Sequence, residues 1–440
     1  MYIKTINRQI IELQRVNTMI TATHSSLGEL IRHHRKQAKM TIVQLEKLTN
    51  VDKAVISRIE TGQTKRPNLD NILKIGVILK LPYEKIIDHY IETEERLEVL
   101  YSMLNDFIQG SNLSLITKLG KKILSSPTEN SIDLVEILYE KAESIKESSV
   151  RLSLYKLIIS YSRAHGIMPY IAKGLMQSYF IERDDFTKLR LTFSSGKSVL
   201  FFEDFLTSEE KGLIYCKLGV HAYYICLFEE SVELNKKALD EKITDTRMLA
   251  NTIGSLSNGY YRLGDYKQSK AYLDKYKTFP LPEVKDNTKL NESMLHSANG
   301  DHQLAIAILQ ENLPHFGDNA LLHAVNQLIK IYLQTKNLSA IEELIQLEEK
   351  ILYTKYVTPF KKSELAHYFR LKGDYYILRS RVEEGIKFYL EAANRYAMID
   401  LIEKEKECLR DIMNTHESNK EIDVFKTIEK LKIHLTKKEG

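Results

Sequence analysis

The chain has 440 residues and a formal net charge of +4 at pH 7, and 43% of its residues are hydrophobic and 28% are charged. This composition is typical of globular proteins, and the length predicts two or three domains or an extended repeat array. No stretch approaches the ~20 apolar residues that span a bilayer, and the N-terminus lacks the features of a secretory signal, so we expect a cytoplasmic protein that does not contact membranes. Few Pro and Gly residues, 8 and 18, predict an all-α fold.

Positive charge is concentrated near the N-terminus. Residues 1–25 hold three basic residues and one acidic residue, and the spacing of Ile6, Ile10 and Leu13 is compatible with a short amphipathic helix of open role. Residues 26–82 hold 11 Lys or Arg against 5 Asp or Glu, whereas residues 83–440 sum to −4. A basic block on a mildly acidic body concentrates the attraction for phosphates at one end of the chain.

Residues 41–62, TIVQLEKLTNVDKAVISRIETG, indicate two short helices joined by a tight turn. Thr41 and Gln44 have the spacing of a capping box, Asp52 is placed to cap the second helix, and Gly62 is placed to end it. A helix with short and basic side chains at its N-terminal end suits the major groove of DNA.

The apolar residues in and around this stretch have helical spacing. Leu45 and Leu48 are expected to face a core, and further helices are predicted to start at Leu27 and after Asn68. With the basic loop Thr64-Lys65-Arg66-Pro67 and the signature Ile56-Ser57…Glu60…Gly62, residues 26–82 resemble the helix-turn-helix domain of the phage repressor and Xre family.

This resemblance implies roles for individual side chains. It implies a structural ion pair between Arg35 and Glu60. The sequence departs from many family members at Ile42, where they have Gln, and at Glu46, where they have Ala; the alternative interpretation is a five-helix domain that has lost DNA binding. The implied DNA contacts are Lys53, Ala54 and Arg58 at base edges and Ser57, Lys65 and Arg66 at phosphates, with Gln44 also on the DNA-binding surface.

The rest of the chain is predicted to be helical throughout. Periodicity from Tyr83 to about Gly110 predicts one long connecting helix, and polar residues 125–131 mark a break. We therefore divide this part into connecting helices at 83–130 and a repeat domain at 131–440.

Five similar segments recur within the repeat domain, with small residues at equivalent places. Their spacing of 36 to 44 residues predicts stacked helix pairs that form a tetratricopeptide-like right-handed superhelix with a concave inner surface. The segments begin at Leu227, Asp265, Asp301, Asn337 and Arg381, and the small or close-packed positions are Ser231, Ser269, Ala305, Ala340 or Ile341, and Gly385.

A DNA-binding head before a tetratricopeptide-like body resembles the RRNPP superfamily of Gram-positive peptide-pheromone regulators. Residues 246–273 and 366–395 are also similar to phage arbitrium receptors, which choose between lysis and lysogeny. The resemblance implies a short signalling peptide in the concave groove, and a homodimer that places two recognition helices on an inverted-repeat operator. Whether the peptide activates or inhibits DNA binding stays open.

Polar residues on one predicted helix face are candidates for peptide binding. Asn251, Ser255 and Asn258 share a face, and Asn can both donate to and accept from an extended peptide backbone. Arg247 lies one turn earlier, suits a peptide carboxylate, and is also indicated by the arbitrium resemblance. For each Asn, a solvated helix face is the alternative. Further candidates on later helices are Asn326, Asn394 and Arg395.

No enzymatic motif is found. The sequence has no P-loop, no G-x-G-x-x-G, no H-E-x-x-H, no G-x-S-x-G and no C-x-x-C, so we expect no catalysis, no cofactor and no metal site. The alternative to a peptide-controlled transcription regulator is a tetratricopeptide-like protein that sequesters a partner protein, with DNA binding secondary.

Overall fold

The structure, a computed structural model, describes residues 26–418, 428–429 and 431–432. All regular secondary structure in these residues is helical, which confirms the predicted all-α class. The helix considered for residues 1–25 lies outside them. The chain divides into two compact units, one ending at Gly174 and the other beginning at Leu175. Within the described part, no helix is both long enough and apolar enough to cross a membrane.

The first unit begins with a five-helix head. Leu45 is fully buried, whereas Leu48 is 56% exposed, so the prediction that both face the core is wrong for Leu48. Thr49 is buried instead, because its hydroxyl is satisfied locally: it donates to the Leu45 carbonyl at 2.7 Å and accepts the Val51 N–H at 3.3 Å. The helices are α1 (Leu27–Gln37), α2 (Ile42–Thr49), α3 (Lys53–Glu60), α4 (Leu69–Ile78) and α5 (Tyr83–Thr93).

The single helix predicted from Tyr83 to about Gly110 is two helices, α5 and α6 (Leu97–Gln109). Glu94 ends α5: its buried carboxylate accepts the Arg96 backbone N–H at 2.9 Å and pairs with the Arg96 guanidinium at 2.7 Å. Burial raises the pKa of Glu94, but the hydrogen bonds from Arg96 outweigh burial and bring this pKa to about 2. The local side-chain bond therefore competes successfully with continuation of the helix.

Four more helices start in the first unit. They are α7 (Leu113–Leu124), α8 (Ser131–Glu143), α9 (Ser148–His165) and α10 (Met168–Glu182). The predicted break at residues 125–131 is confirmed between α7 and α8. Ile86 on α5 is fully buried against Gly76 on α4, so α5 packs on the head past the predicted boundary at residue 82. The predicted boundary at residue 130 falls inside this first unit.

The second unit is a series of helix pairs. Neighbouring helices pack as α12 with α13, α14 with α15, α16 with α17, and α21 with α22, and this arrangement confirms a helical-repeat body. The helices are α11 (Leu189–Lys197), α12 (Ser208–Tyr224), α13 (Phe228–Asp240), α14 (Thr246–Arg262), α15 (Tyr266–Tyr276), α16 (Pro282–Ala298), α17 (His302–Asn312), α18 (Asp318–Gln334), α19 (Leu338–Ile345), α20 (Glu348–Tyr353), α21 (Pro359–Leu378), α22 (Val382–Ala397) and α23 (Ile402–Ser418).

The five predicted repeat segments coincide with the second helix of successive pairs. In each pair a left-handed residue ends the first helix, and the next N–H bonds back to a carbonyl five residues earlier, at 2.8 to 3.0 Å. This closure satisfies backbone carbonyls at the helix end. The left-handed residues are Cys226, Gly264, Gly300, Lys336 and Ser380.

Small residues let the paired helices approach closely, as predicted. Ser231 is fully buried on α13 and donates its hydroxyl to the Gly219 carbonyl on α12 at 2.7 Å. A Cβ at Gly385 would lie 3.2 Å from the Gly373 carbonyl oxygen and would overlap the side chain of Ile377. A larger residue at Gly385 would therefore separate α21 from α22.

Replacing Lys336 by Gly is expected to raise the free energy of unfolding by about 0.5–1 kcal/mol, since a left-handed conformation strains any residue with a Cβ. Lys336 has a φ of 55°. The measurement is the urea midpoint of the full chain. The matched control is Lys270→Gly within α15, which should lose about 1 kcal/mol. A lower midpoint for Lys336→Gly would show that its side chain has a stabilising role.

Candidate functional site

Local hydrogen bonds cap the N-terminus of each of the two helices in the helix-turn-helix segment. The predicted capping box is confirmed: the Thr41 N–H donates to Gln44 Oε1 at 2.8 Å, and the Gln44 N–H donates to Thr41 Oγ1 at 3.2 Å. The Asp52 carboxylate accepts the Ala54 N–H at 2.8 Å and caps α3, as predicted. Glu46 accepts the Lys53 N–H at 3.0 Å, so this departure from the family pattern ties α2 to the start of α3.

A partly buried ion pair holds α3 against α1. Arg35 Nε donates to Glu60 Oε1 at 2.6 Å and Nη2 donates to Oε2 at 2.7 Å, which confirms the implied pair. Nη1 of Arg35 also donates to the Met40 carbonyl at 2.8 Å. The hydrogen bond to Glu60 raises the pKa of Arg35 against the opposing effect of burial. Such a bidentate pair fixes the relative orientation of the two side chains as well as their distance.

The outer face of α3 presents most of the predicted DNA-contacting residues to solvent. Lys53, Ala54 and Arg58 are exposed, and Ser57 is half-buried. Arg58 Nε donates to the Ala54 carbonyl at 3.2 Å, which lays its side chain back along the helix. Gln44 is exposed as well, and its carbonyl oxygen is used by the capping box, which leaves its amide NH₂ as the group that could reach DNA.

The basic loop after α3 is exposed, and its two cations differ in their partners. Arg66 forms an ion pair with Glu95, the residue that follows the buried Glu94. Lys65 has no carboxylate partner among the residues that the structure describes. A phosphate contact by Arg66 therefore requires that phosphate replace Glu95. Because both side chains are exposed, we expect this exchange to cost little.

In the second unit, four predicted peptide-binding residues lie on one solvent-facing stripe of α14. Arg247 and Asn251 are exposed, and Ser255 and Asn258 are half-buried. The three uncharged side chains make no hydrogen bond to any part of the chain that the structure describes. Arg247 forms an ion pair with Glu283 at the start of α16, and its side chain is 58% exposed. The stripe thus offers unpaired amides beside one guanidinium.

The other three candidates have structural partners. Asn326 is fully buried, and its amide donates to the Glu364 carbonyl at 2.8 Å and to the Glu364 carboxylate at 3.0 Å. Its predicted place on the groove surface is therefore corrected: repeat packing turns this face of α18 inward. Arg395 bonds Glu391 at 2.7 Å and stacks 4.6 Å from the Phe369 ring centre. Asn394 is half-buried on α22.

Comparison with known proteins identifies the head. Residues 31–86 match the family model described as Helix-turn-helix. The head is a helix-turn-helix domain. The solved structure of selenomethionine phAimR covers 92% of this chain and 100% of its own, with 14% identity and a TM-score of 0.39.

Two curated relatives are similar to a short part of this chain. The HTH-type transcriptional repressor RghR of Bacillus subtilis (strain 168) is 40% identical over 62 residues. The uncharacterized HTH-type transcriptional regulator RghRB of the same organism is 35% identical over 63 residues. Each alignment covers 14% of this chain, and the chain spans 46% and 45% of the two relatives, respectively. The helix-turn-helix part of the predicted resemblance is therefore confirmed.

The α14 stripe continues into a group of residues that the sequence analysis missed. Arg262 lies one turn after Asn258 on the same face, and it opens into a cleft with Lys330 and Lys404. The helical spacing that places Arg247, Asn251 and Asn258 on one face also places Arg262 there. This spacing could have extended the predicted stripe to Arg262. Lys330 and Lys404 are far away in sequence and gave no such signal.

Proposed function

We propose that this protein is a sequence-specific DNA-binding transcription regulator that is controlled by a short peptide. The observation that carries the proposal is the exposed face of α3, on a helix fixed by the Asp52 cap and the Arg35–Glu60 pair. Among the described residues, Lys53 and Arg58 have no acidic partner. A rigid helix with this face is what reading of the major groove requires.

In the proposed complex, the N-terminal turn of α3 enters the major groove. Lys53, Ala54 and Arg58 meet base edges, and Ser57 and the basic loop meet phosphates. A homodimer would place two copies of α3 one DNA turn, ~34 Å, or a multiple of it apart on an inverted repeat. Dimer formation and operator symmetry are parts of the proposal.

Replacing Lys53 and Arg58 together by Ala is expected to weaken operator binding at least 100-fold, because each contact is worth about 1–3 kcal/mol. Affinity is measured by fluorescence anisotropy on a fragment selected from genomic DNA, over a range of salt concentrations. Discrimination between the selected fragment and unrelated DNA should fall, whereas the slope of log Kd against log salt should change little, because these two residues are assigned to base edges and not to phosphates. Survival of regulation in cells after this change would favour the alternative, a sequestered protein partner.

Two further variants make this test specific. Lys146→Ala with Arg163→Ala removes the same charge from exposed positions outside the DNA-binding surface, and it should retain nearly full affinity. Glu95→Gln releases Arg66 and should bind DNA at least as tightly as the unmodified protein. If the control pair loses as much affinity as the α3 pair, the binding is nonspecific.

Peptide control is proposed on the exposed polar stripe of α14. An extended peptide can pair its backbone with Asn251 and Asn258, and its carboxylate can replace Glu283 on Arg247. The peptide would shift DNA binding only through different affinities for two shapes of the repeat body. This mechanism agrees with the resemblance to pheromone and arbitrium receptors. Under the proposal, the peptide would control either quorum sensing or the choice between lysis and lysogeny.

Arg247→Ala is expected to weaken peptide binding about 10- to 100-fold while DNA affinity without peptide stays the same, because a charge-assisted hydrogen bond is worth about 1.5–3 kcal/mol. Binding is measured by calorimetry with overlapping synthetic peptides that cover the small open reading frame beside the gene. Lys267→Ala, an exposed change on α15, is the control. Equal peptide affinity in both variants would remove Arg247 from the proposal.

A further inference from the structure

A small cleft lies at the C-terminal end of α14, and its wall combines cations with aromatic rings. Its volume is about 90 Å³, which is enough for one compact ionic group. The charged side chains in the wall are Arg262 from α14, Lys330 from α18, Glu364 from α21 and Lys404 from α23, and the aromatic ones are Tyr223, Tyr224, Phe228, Phe360 and Tyr396.

The one carboxylate in this wall is already satisfied from the opposite side. Glu364 is 7% exposed, lies 3.0 Å from Nδ1 of His323, and accepts from Asn326 at 3.0 Å. Within the described part of the chain, Arg262, Lys330 and Lys404 form no ion pair, and Arg262 has only the Tyr223 hydroxyl at 3.4 Å. The cleft therefore holds three cations against a single carboxylate.

The excess positive charge also acts on nearby groups. Partial desolvation in the cleft, together with the charge of Arg262, lowers the pKa of Lys330, and Glu364 opposes both effects. Burial is likewise the main reason that the pKa of His367 falls to about 4; Lys404 and Arg262 lower it further, and Glu364 opposes them. Like charges brought together destabilise each other, and the single carboxylate of Glu364 offsets only part of this repulsion, so a bound anion would relieve the rest.

We propose that this cleft binds an oxyanion, either a free phosphate or carboxylate ion or the C-terminal carboxylate of a peptide ligand. In the second case Arg247, at the other end of α14, would contact an acidic side chain of the peptide instead. Arg262 supplies a planar pair of donors, and Lys330 and Lys404 supply point charges. The volume admits one such group. Only the peptide source rests on the proposed function; binding of a free ion does not.

A bound oxyanion would link helices that are distant in sequence. Tyr223 and Arg262 stand at the ends of α12 and α14, whereas Lys330 and Lys404 belong to α18 and α23. The rings of Tyr223 and Phe360 already lie 6.0 Å apart across this cleft. Occupancy would therefore hold the early and late helix pairs of the second unit together, and would raise its thermal stability.

The test uses the full chain and inorganic phosphate, exchanged for chloride at constant ionic strength. Phosphate at ten times its Kd should raise the Tm by about 2–4 °C. Lys330→Gln and Lys404→Gln should each weaken phosphate binding at least 10-fold, and Lys330→Arg should restore it. The control is Lys270→Gln, at an exposed position on α15, which should bind phosphate as tightly as the unmodified protein does. Equal shifts in all variants, or no shift in any, would overturn the proposal.

A second arm distinguishes the two sources. Any peptide found to bind is compared with its C-terminal amide in the unmodified and Lys330→Gln proteins. A loss of affinity on amidation that disappears in Lys330→Gln assigns the peptide carboxylate to the cleft, and phosphate should then compete with the acid form. Phosphate binding without this effect assigns a free ion. Operator affinity, measured in parallel without either ligand, reports separately on the proposed function.

Discussion

Replacing Arg35 by Met is expected to lower the free energy of unfolding of the helix-turn-helix domain by about 3–5 kcal/mol. The Glu60 side chain is only 4% exposed, and it would keep a buried charge without its partner. The Met40 carbonyl would lose a hydrogen bond at the same time. Because Glu60 ends α3, the loss would loosen the recognition helix itself. Hydrogen exchange of α1 and α3 amides in the full chain measures the effect.

Two companion variants separate charge burial from general damage. Replacing Arg35 by Met and Glu60 by Leu together should recover most of the stability, since no unpaired charge then remains. Arg32→Met, at an exposed position on the same helix, should change stability by less than about 0.5 kcal/mol. If Arg35→Met resembles Arg32→Met, the pair does not stabilise the domain.

Gly28→Ala is expected to destabilise the same domain by about 1–3 kcal/mol and to weaken DNA binding. A Cβ at Gly28 would lie 2.2 Å from the Ile59 carbonyl oxygen, and this backbone atom cannot move without moving α3. The two helices approach so closely only because position 28 has no side chain. Hydrogen exchange in the head and operator affinity are the two measurements.

A matched glycine provides the control for this prediction. At Gly110, after α6, an added Cβ would have no neighbour closer than 3.7 Å, so Gly110→Ala should be neutral or slightly stabilising. Normal exchange and DNA affinity in Gly28→Ala would mean that α1 and α3 can separate at little cost. The contact would then not set the position of the recognition helix.

Sequence reasoning succeeded where a feature depends on neighbours within one helical turn. The Thr41–Gln44 box and the Asp52 cap are bonds between residues two or three positions apart, and their chemistry is visible in the residue types. It failed at Leu48, because on a helix of two turns the apolar spacing fits more than one face. It also missed the break at Glu94, where one side chain satisfies the following backbone.

The sequence by itself determined the all-α class, the helix-turn-helix segment and the period of the repeats, because caps, turns and amphipathic spacing are local properties. Only the tertiary structure decided which polar residues meet. Asn326 is buried on Glu364, and Arg262 shares a cleft with Lys330 and Lys404, from helices that are distant in sequence. The stacking of helix pairs sets these neighbours through packing of apolar faces, and no spacing along the chain encodes the result.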